Sequence, residues 1–391
     1  MSCYHPLIRQ MVLDKFGNVV CNSDGEPKFK IRRMMPYDIN YHPDNYSFMQ
    51  IPCGNCVGCK LDHSRQWADR MLMELQSAGC GVFVTLTYSD ETVPKSSYMD
   101  NNFIEHRNYT LCKKDLQGFI KRLRKKFKGK RISYYCAGEY GELNLRPHYH
   151  GIFFGLSLED LKAVELLSPL GDPVKNAFGD IYYKSEILEG IWKRGIVGLG
   201  KVTWKSCAYV SRYVTKKWST GYDYKGKTLK KKVYVEPSVE WIESNDGRIQ
   251  ILDDEYGHYY DKEVDLYEFF NVAKEFSIMS LKPGIGMTYI ENWMNENRDL
   301  TLFDVAKISL PSGDKSKQLK IPKSFKRKYY KDSGDINLYE LYDMAAKKAI
   351  DLGYDRTILE IRETDKDYIE YLADKERKHL NGAKLLKRDK I

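Results

Sequence analysis

Along the first two thirds of the chain, apolar residues recur with two alternating periods, one of two residues and one near 3.6. Residues 81–88 read as a strand, Val82-Phe83-Val84 leading into Thr85-Leu86-Thr87. Residues 61–78 set Trp67, Met71 and Leu75 on one helical stripe. Residues 113–128 do the same with Leu116, Phe119, Ile120, Leu123 and Phe127, while lysines and arginines fill the rest of that helix. Two apolar runs, 131–139 and 147–154, flank a short turn at 141–146 and predict an antiparallel hairpin. Pro147 suits the first position of the second strand, where no ladder donor is needed. A helix near 184–194, a strand over 196–203 and a helix over 205–218 follow. In that last helix Cys207, Val210, Ser211, Val214 and Trp218 form the buried stripe. Tyr209, Tyr213 and Lys216 fall on the opposite side, close to one another at spacings of four and three. Residues 1–60 show no period and read as irregular. Residues 235–268 read as an acidic β insertion or hairpin pair, and residues 335–382 as charged helix. The alternation with antiparallel pairing predicts an α+β fold.

Composition narrows the class. A chain of 391 residues that is 42% hydrophobic can bury a sizeable core. The order of patterns divides it into 1–60, a main domain over 61–234, an acidic insertion and return segment over 235–300, and a basic then helical region over 301–391. The net charge of +9 is unevenly spread: Lys113 to Arg131 holds ten basic residues against one acid, and Lys201 to Lys232 again ten against one. Lys315 to Lys331 holds eight basic residues and no acid. Such blocks beside the candidate motifs point to a polyanionic partner. No stretch is apolar and long enough for a membrane span, and no signal peptide is visible, so a soluble cytosolic protein is expected.

Three groups of residues carry chemistry. His148 and His150 are two apart on a strand, so both imidazoles point to one face and can meet a divalent metal. Glu139, at the end of the preceding strand, can face them from next door; Glu142 competes but lies in the turn. Imidazole plus carboxylate suits Mg²⁺ or Mn²⁺. A tyrosine hydroxyl, with a pKa near ~10, needs a cation such as Lys216 or Lys217 to favour its phenolate. Cys53-Gly54-Asn55-Cys56-Val57-Gly58-Cys59 has ligand spacing for a structural Zn²⁺, with iron–sulfur ligation as the competing reading. His63, four residues after Cys59, is one candidate for the fourth ligand.

His148-Tyr149-His150 resembles the HUH motif of endonucleases that cut single-stranded DNA through a phosphotyrosine. Tyr209 and Tyr213 resemble the paired tyrosines of rolling-circle initiators, with Lys216 at Tyr-x-x-Lys spacing, and residues 82–88 resemble that superfamily's first motif. Cys3-Tyr4-His5-Pro6, the cysteine run and Ser64-Arg65-Gln66-Trp67-Ala68 resemble the replication initiation proteins of gokushovirus-type microviruses, over about residues 1–220. The resemblance implies a central antiparallel HUH sheet flanked by helices, and Cys3 as the fourth zinc ligand. It also implies that tyrosine nicking and joining of single-stranded DNA at a replication origin starts and ends rolling-circle replication in the cytoplasm of a bacterial host, with host helicase and polymerase as partners. The alternatives are an HUH transposase or relaxase, and a non-enzymatic zinc-containing nucleic-acid-binding protein.

Overall fold

The computed structural model describes residues 3–35, 38, 48–99, 103–141, 145–175, 179–213, 241–243, 249–252, 259–261, 271–296, 308–312, 315–319, 321–322, 325, 344, 348 and 355–385. The chain forms two compact units. One gathers residues 1–63 with 321–387 and the short piece 302–304; the other is built from residues 64–301 and 305–320. This grouping cuts across the order of the sequence, because the C-terminal helical stretch belongs with the N-terminal residues.

In the first unit, β1 (Leu7–Met11) pairs antiparallel with β2 (Phe29–Arg33) on one side and β3 (Phe48–Ile51) on the other. The expectation of irregular structure over residues 1–60 is therefore corrected. These strands lack a clean two-residue period because apolar side chains also point outward: Ile31 is exposed, and Phe29 lies under the Arg9 guanidinium at 3.6 Å. Helix α1 (Val57–Ala78) begins in this unit, and its residues from Ser64 onward belong to the other. The helix at the C-terminal end, α6 (Tyr368–Leu385), contributes Tyr368, Tyr371 and Leu372 to a small core with Ile8 and Met34.

The second unit is organised by a sheet that is seven-stranded among the described residues. Its middle is β4 (Gly81–Thr87), β7 (Ser133–Tyr140) and β8 (Pro147–Phe154), with β8 between the other two. β11 (Val197–Lys201), β10 (Tyr183–Lys184) and β9 (Val164–Glu165) extend it beyond β4, and β15 (Phe276–Met279) pairs outside β7. Every pairing is antiparallel. β5 (Lys95–Met99) with β6 (Glu105–Tyr109), and β16 (Ile308–Ser312) with β17 (Lys315–Leu319), are separate hairpins. β12 (Trp241–Glu243), β13 (Ile249–Leu252) and β14 (Tyr259–Asp261) form a three-stranded sheet within the acidic insertion. The fold is α+β.

Strict alternation along the central strands sorts side chains onto two faces. Val82, Val84, Leu86, Cys136, Tyr149 and Phe153 enter one core, covered by α2 (Lys113–Lys126) through Leu116, Phe119, Ile120 and Leu123 and by α3 (Glu186–Trp192) through Leu188 and Trp192. Tyr135, Ala137, Ile152 and Phe154 enter the other, covered by Ala68 and Met71 of α1 and by Cys207, Ala208 and Val210 of α4 (Trp204–Tyr213). Gly151 permits the close pairing of β7 and β8: a Cβ there would lie 2.6 Å from Cys136 Sγ. Behind it, α5 (Met287–Glu296) follows a turn in which the Gly286 amide donates to Glu74 of α1 at 2.7 Å. Among the described residues, no helix is long and apolar enough to cross a membrane.

Candidate active site

The site residues lie on the α1/α4 face of the sheet. The β7–β8 hairpin sets Glu139 opposite His148 and Ala137 opposite His150, and β4 sets Thr85 opposite His150 on the other side. The expected convergence is present. His148 Nε2 lies 2.7 Å from Glu139 Oε1 and His150 Nε2 lies 3.2 Å from the same oxygen. The other ring nitrogen of each histidine is engaged elsewhere: His148 Nδ1 donates to the Arg146 carbonyl at 3.1 Å, and His150 Nδ1 lies 3.0 Å from Thr85 Oγ1. A carbonyl only accepts, so a neutral His148 keeps its proton on Nδ1 and turns the Nε2 lone pair toward Glu139. Adjacent ligands about 2.1 Å from an octahedral Mg²⁺ are separated by ~3 Å, which is the scale of these contacts. The three residues fit a divalent cation held by two imidazoles and one carboxylate oxygen.

The electrostatics agree with that donor set. Burial acts to raise the Glu139 carboxyl, but hydrogen bonds from His148 and His150 outweigh it and hold it at about 2. Burial also works against a charged His148, yet the Glu139 carboxylate and the Arg146 carbonyl bring its pKa above the ordinary imidazole value. Glu275, whose carboxylate accepts from the Tyr140 amide at 3.2 Å, adds negative charge near His148. The sequence reading missed Glu275, because it precedes a four-residue strand far along the chain, and missed Thr85 as a partner of His150, because only strand register brings the two together.

Tyr149, between the two histidines, points to the opposite core. Its hydroxyl meets Tyr88 Oη and both the amide and carbonyl of Cys112, each at 2.9 Å. The residue between the ligands thus anchors the strand from behind.

Helix α4 brings Tyr209 to the site. Thr203 and Ser206 cap its start reciprocally: the Ser206 amide donates to Thr203 Oγ1 at 3.3 Å and the Thr203 amide to Ser206 Oγ at 2.8 Å. Two bonds tie it to α1, Ser211 Oγ to Ser64 Oγ at 2.9 Å and Trp204 Nε1 to Asp69 Oδ1 at 2.9 Å. The buried stripe is as expected for Cys207, Val210 and Ser211. Tyr209 does not lie on the exposed opposite side, however. It flanks the stripe, half-buried, with its ring edge-on to His150 at 5.4 Å and to Phe83 at 6.1 Å between centroids. The Tyr213 side chain, Lys216 and Lys217 lie outside the described residues, as does Glu142.

The basic block of α2 is not beside this site. Its apolar stripe packs on the opposite core, so Lys113 to Lys126 occupy the other side of the sheet. Adjacency in sequence misled here, because α2 and the histidines are attached to the same sheet from opposite faces.

In the first unit, Cys3, Cys53, Cys56 and Cys59 come together with their sulfurs all within 4.8 Å of one another. His63 is exposed and is not in this group. The Cys3 thiol and neighbouring amides, against the effect of burial, pull Cys56 down to about 3. Cys80, Cys112, Cys136 and Cys207 stand apart from the cluster.

A family model for replication-associated proteins of the ORF2 type matches residues 81–218. That span contains Glu139, His148, His150, Tyr209 and Tyr213. The replication-associated protein ORF2 of Spiroplasma virus 4 is 28% identical over 399 aligned residues, covering 99% of this chain and 98% of that protein. The chain is a relative of the phage replication-associated proteins. Replication-associated protein VP4 of Bdellovibrio phage phiMH2K is 31% identical over 173 residues, 44% of this chain and 50% of its own. Replication-associated protein ORF4 of Chlamydia phage 1 is 28% identical over 196 residues, 50% of this chain and 45% of its own. These matches support the resemblance drawn from the sequence, to the replication initiators of gokushovirus-type microviruses. No solved structure matches the chain at a significant level.

Proposed function

We propose that this replication-associated protein nicks and joins single-stranded DNA in the rolling-circle replication of a small circular phage genome. A part in phage DNA replication follows from its relatives; the chemistry follows from one observation, the convergence of Glu139, His148 and His150 beside the Tyr209 ring. When bound there, Mg²⁺ or Mn²⁺ supplies a Lewis acid that polarises the scissile phosphate. The protein's own part is nucleophile and orientation. Tyr209, or Tyr213 one turn further along α4, attacks the phosphorus with its phenolic oxygen, and the phenol proton passes to solvent. The bond to the 3′ oxygen breaks, giving a 5′-phosphotyrosine and a 3′-hydroxyl that a host polymerase extends behind a host helicase. In joining, a 3′-hydroxyl attacks the phosphotyrosine and the tyrosine oxygen leaves. Two tyrosines allow a second cut while the first linkage persists. Lys216 and Lys217 are assigned the cations that favour the phenolate. The reaction takes place in the cytoplasm of the bacterial host.

The test is a covalent adduct with labelled single-stranded origin DNA in Mn²⁺. Wild type forms a protease-sensitive adduct and circular joined product. His150→Ala and the double change Tyr209→Phe/Tyr213→Phe form none, while either single change retains some adduct but no joined circles. An undiminished adduct from the double variant would place the nucleophile elsewhere. DNA binding without any adduct from wild type would favour the non-enzymatic binding protein.

A further inference from the structure

Outside the active site, the first unit holds four thiols with no assigned role. Gly54, at φ +77°, turns the chain between Cys53 and Cys56, and the first turn of α1 carries Cys59. Cys3 arrives from fifty residues away. Cys53 Sγ and Cys59 Sγ are 4.0 Å apart, and Cys56 Sγ and Cys3 Sγ 3.9 Å apart. A disulfide needs ~2.05 Å. Four sulfurs placed tetrahedrally ~2.3 Å from Zn²⁺ are ~3.8 Å from one another. Backbone amides supply the second observation. Cys53 donates to Cys3 Sγ at 3.2 Å, Tyr4 to Cys56 Sγ at 3.3 Å, and Asn55 and Cys56 to Cys53 Sγ at 3.4 and 3.3 Å. Amides aimed at sulfur favour the thiolate that zinc requires.

The residues after Cys3 touch α6. Tyr4 Oη lies 2.9 Å from His379 Nδ1, and His5 Nε2 lies 2.6 Å from Glu376 Oε2. Glu376 and His379 are three apart, on one face of α6. Other described contacts holding α6 are few: a core of Ile8, Met34, Tyr368, Tyr371 and Leu372, and a bond from Gln50 to Tyr368 at 2.8 Å. A core of that size needs a staple.

We propose that Cys3, Cys53, Cys56 and Cys59 hold one structural zinc ion, and that this ion seats α6 by fixing Tyr4 and His5 against His379 and Glu376. Closing the loop from Cys3 to Cys53 removes freedom from the unfolded N-terminus, so the contact face for α6 forms only when the metal is in place. This inference does not rest on the nicking reaction, and its failure would leave that reading untouched.

Elemental analysis and hydrogen exchange on the full chain test it. Purified protein carries about one zinc per chain. A chelator with reductant removes it and raises exchange in residues 3–11 and 368–385 together, while β7 and β8 stay protected. Cys3→Ser loses the zinc and the same protection. Tyr4→Phe keeps the zinc, through the intact Tyr4 amide, and loosens exchange only around Glu376 to His379. Failure to bind one equivalent of zinc, full zinc in Cys3→Ser, or the visible absorption of an iron–sulfur cluster would overturn the site. Unchanged α6 protection in the chelated protein, or equal loss throughout β7 and β8, would overturn the seating.

Discussion

Thr85→Val isolates the one hydrogen bond that orients His150. Valine keeps the β-branch that suits β4 and removes only the hydroxyl. Thr85 Oγ1 lies 3.0 Å from His150 Nδ1, and His150 is 6% exposed, so little water can replace the lost partner. Leaving a buried donor unpaired costs about 1–3 kcal/mol. Loss of a partner that orients a metal-bound histidine costs about 10–100-fold in affinity, equivalent to about 1.4–2.7 kcal/mol. The two routes agree, so Mn²⁺ affinity, read from the free-ion paramagnetic resonance signal during titration, should fall 10–100-fold in Thr85→Val. Thr85→Ser restores the hydroxyl and should bind close to wild type. Thermal unfolding of the metal-free variants separates orientation from a damaged sheet. Wild-type Mn²⁺ affinity in a folded Thr85→Val protein would refute the assignment of Thr85 as a positioning residue.

Two more expectations follow from the same geometry. Metal must displace the proton that His148 holds to higher pH than a free imidazole, so affinity should rise with pH through that raised pKa and flatten above it. Below it the slope should be about tenfold per unit for one proton. Glu139, held at about 2, stays ionised throughout and adds no slope; calorimetric titration from pH 5.5 to 8 checks this, and a flat profile would exclude His148 as ligand. In the opposite core Phe119 is fully buried, edge-on to Phe153 and Trp192. Phe119→Ala should cost about 3–5 kcal/mol in denaturant unfolding; a loss under 1 kcal/mol would contradict the packing described.

The hairpin, its ligands and the helix that follows were legible because their periods are strong and local. Gly81 to Thr87 and Pro147 to Phe154 alternate without interruption, and the α2 stripe is regular. The missed elements are those whose order comes from distant partners. Lys95-Ser-Ser-Tyr-Met pairs with Glu105-His-Arg-Asn-Tyr, and neither has an apolar period. β9 and β10 are two residues each, below any pattern. β15 is short and joins the sheet after a separation of more than a hundred residues from β7. The metal triad could be named from spacing, but the half-buried place of Tyr209 could not, because Phe83 and His150 press on it from other strands.

The back-to-back placement of Tyr149 and its two histidine neighbours makes the site a matter of odd and even. One residue added between His148 and His150 would leave His150 paired with Thr85 and send His148 to the side now held by Tyr149. Two added residues would restore the face but carry His148 ~6.8 Å along the strand, out of reach of an ion shared with His150. Additions in the turn between Gly141 and Arg146 change neither parity nor distance. Chains built on this hairpin are therefore free to differ in length at its turn and are held to a fixed count from Pro147 to His150.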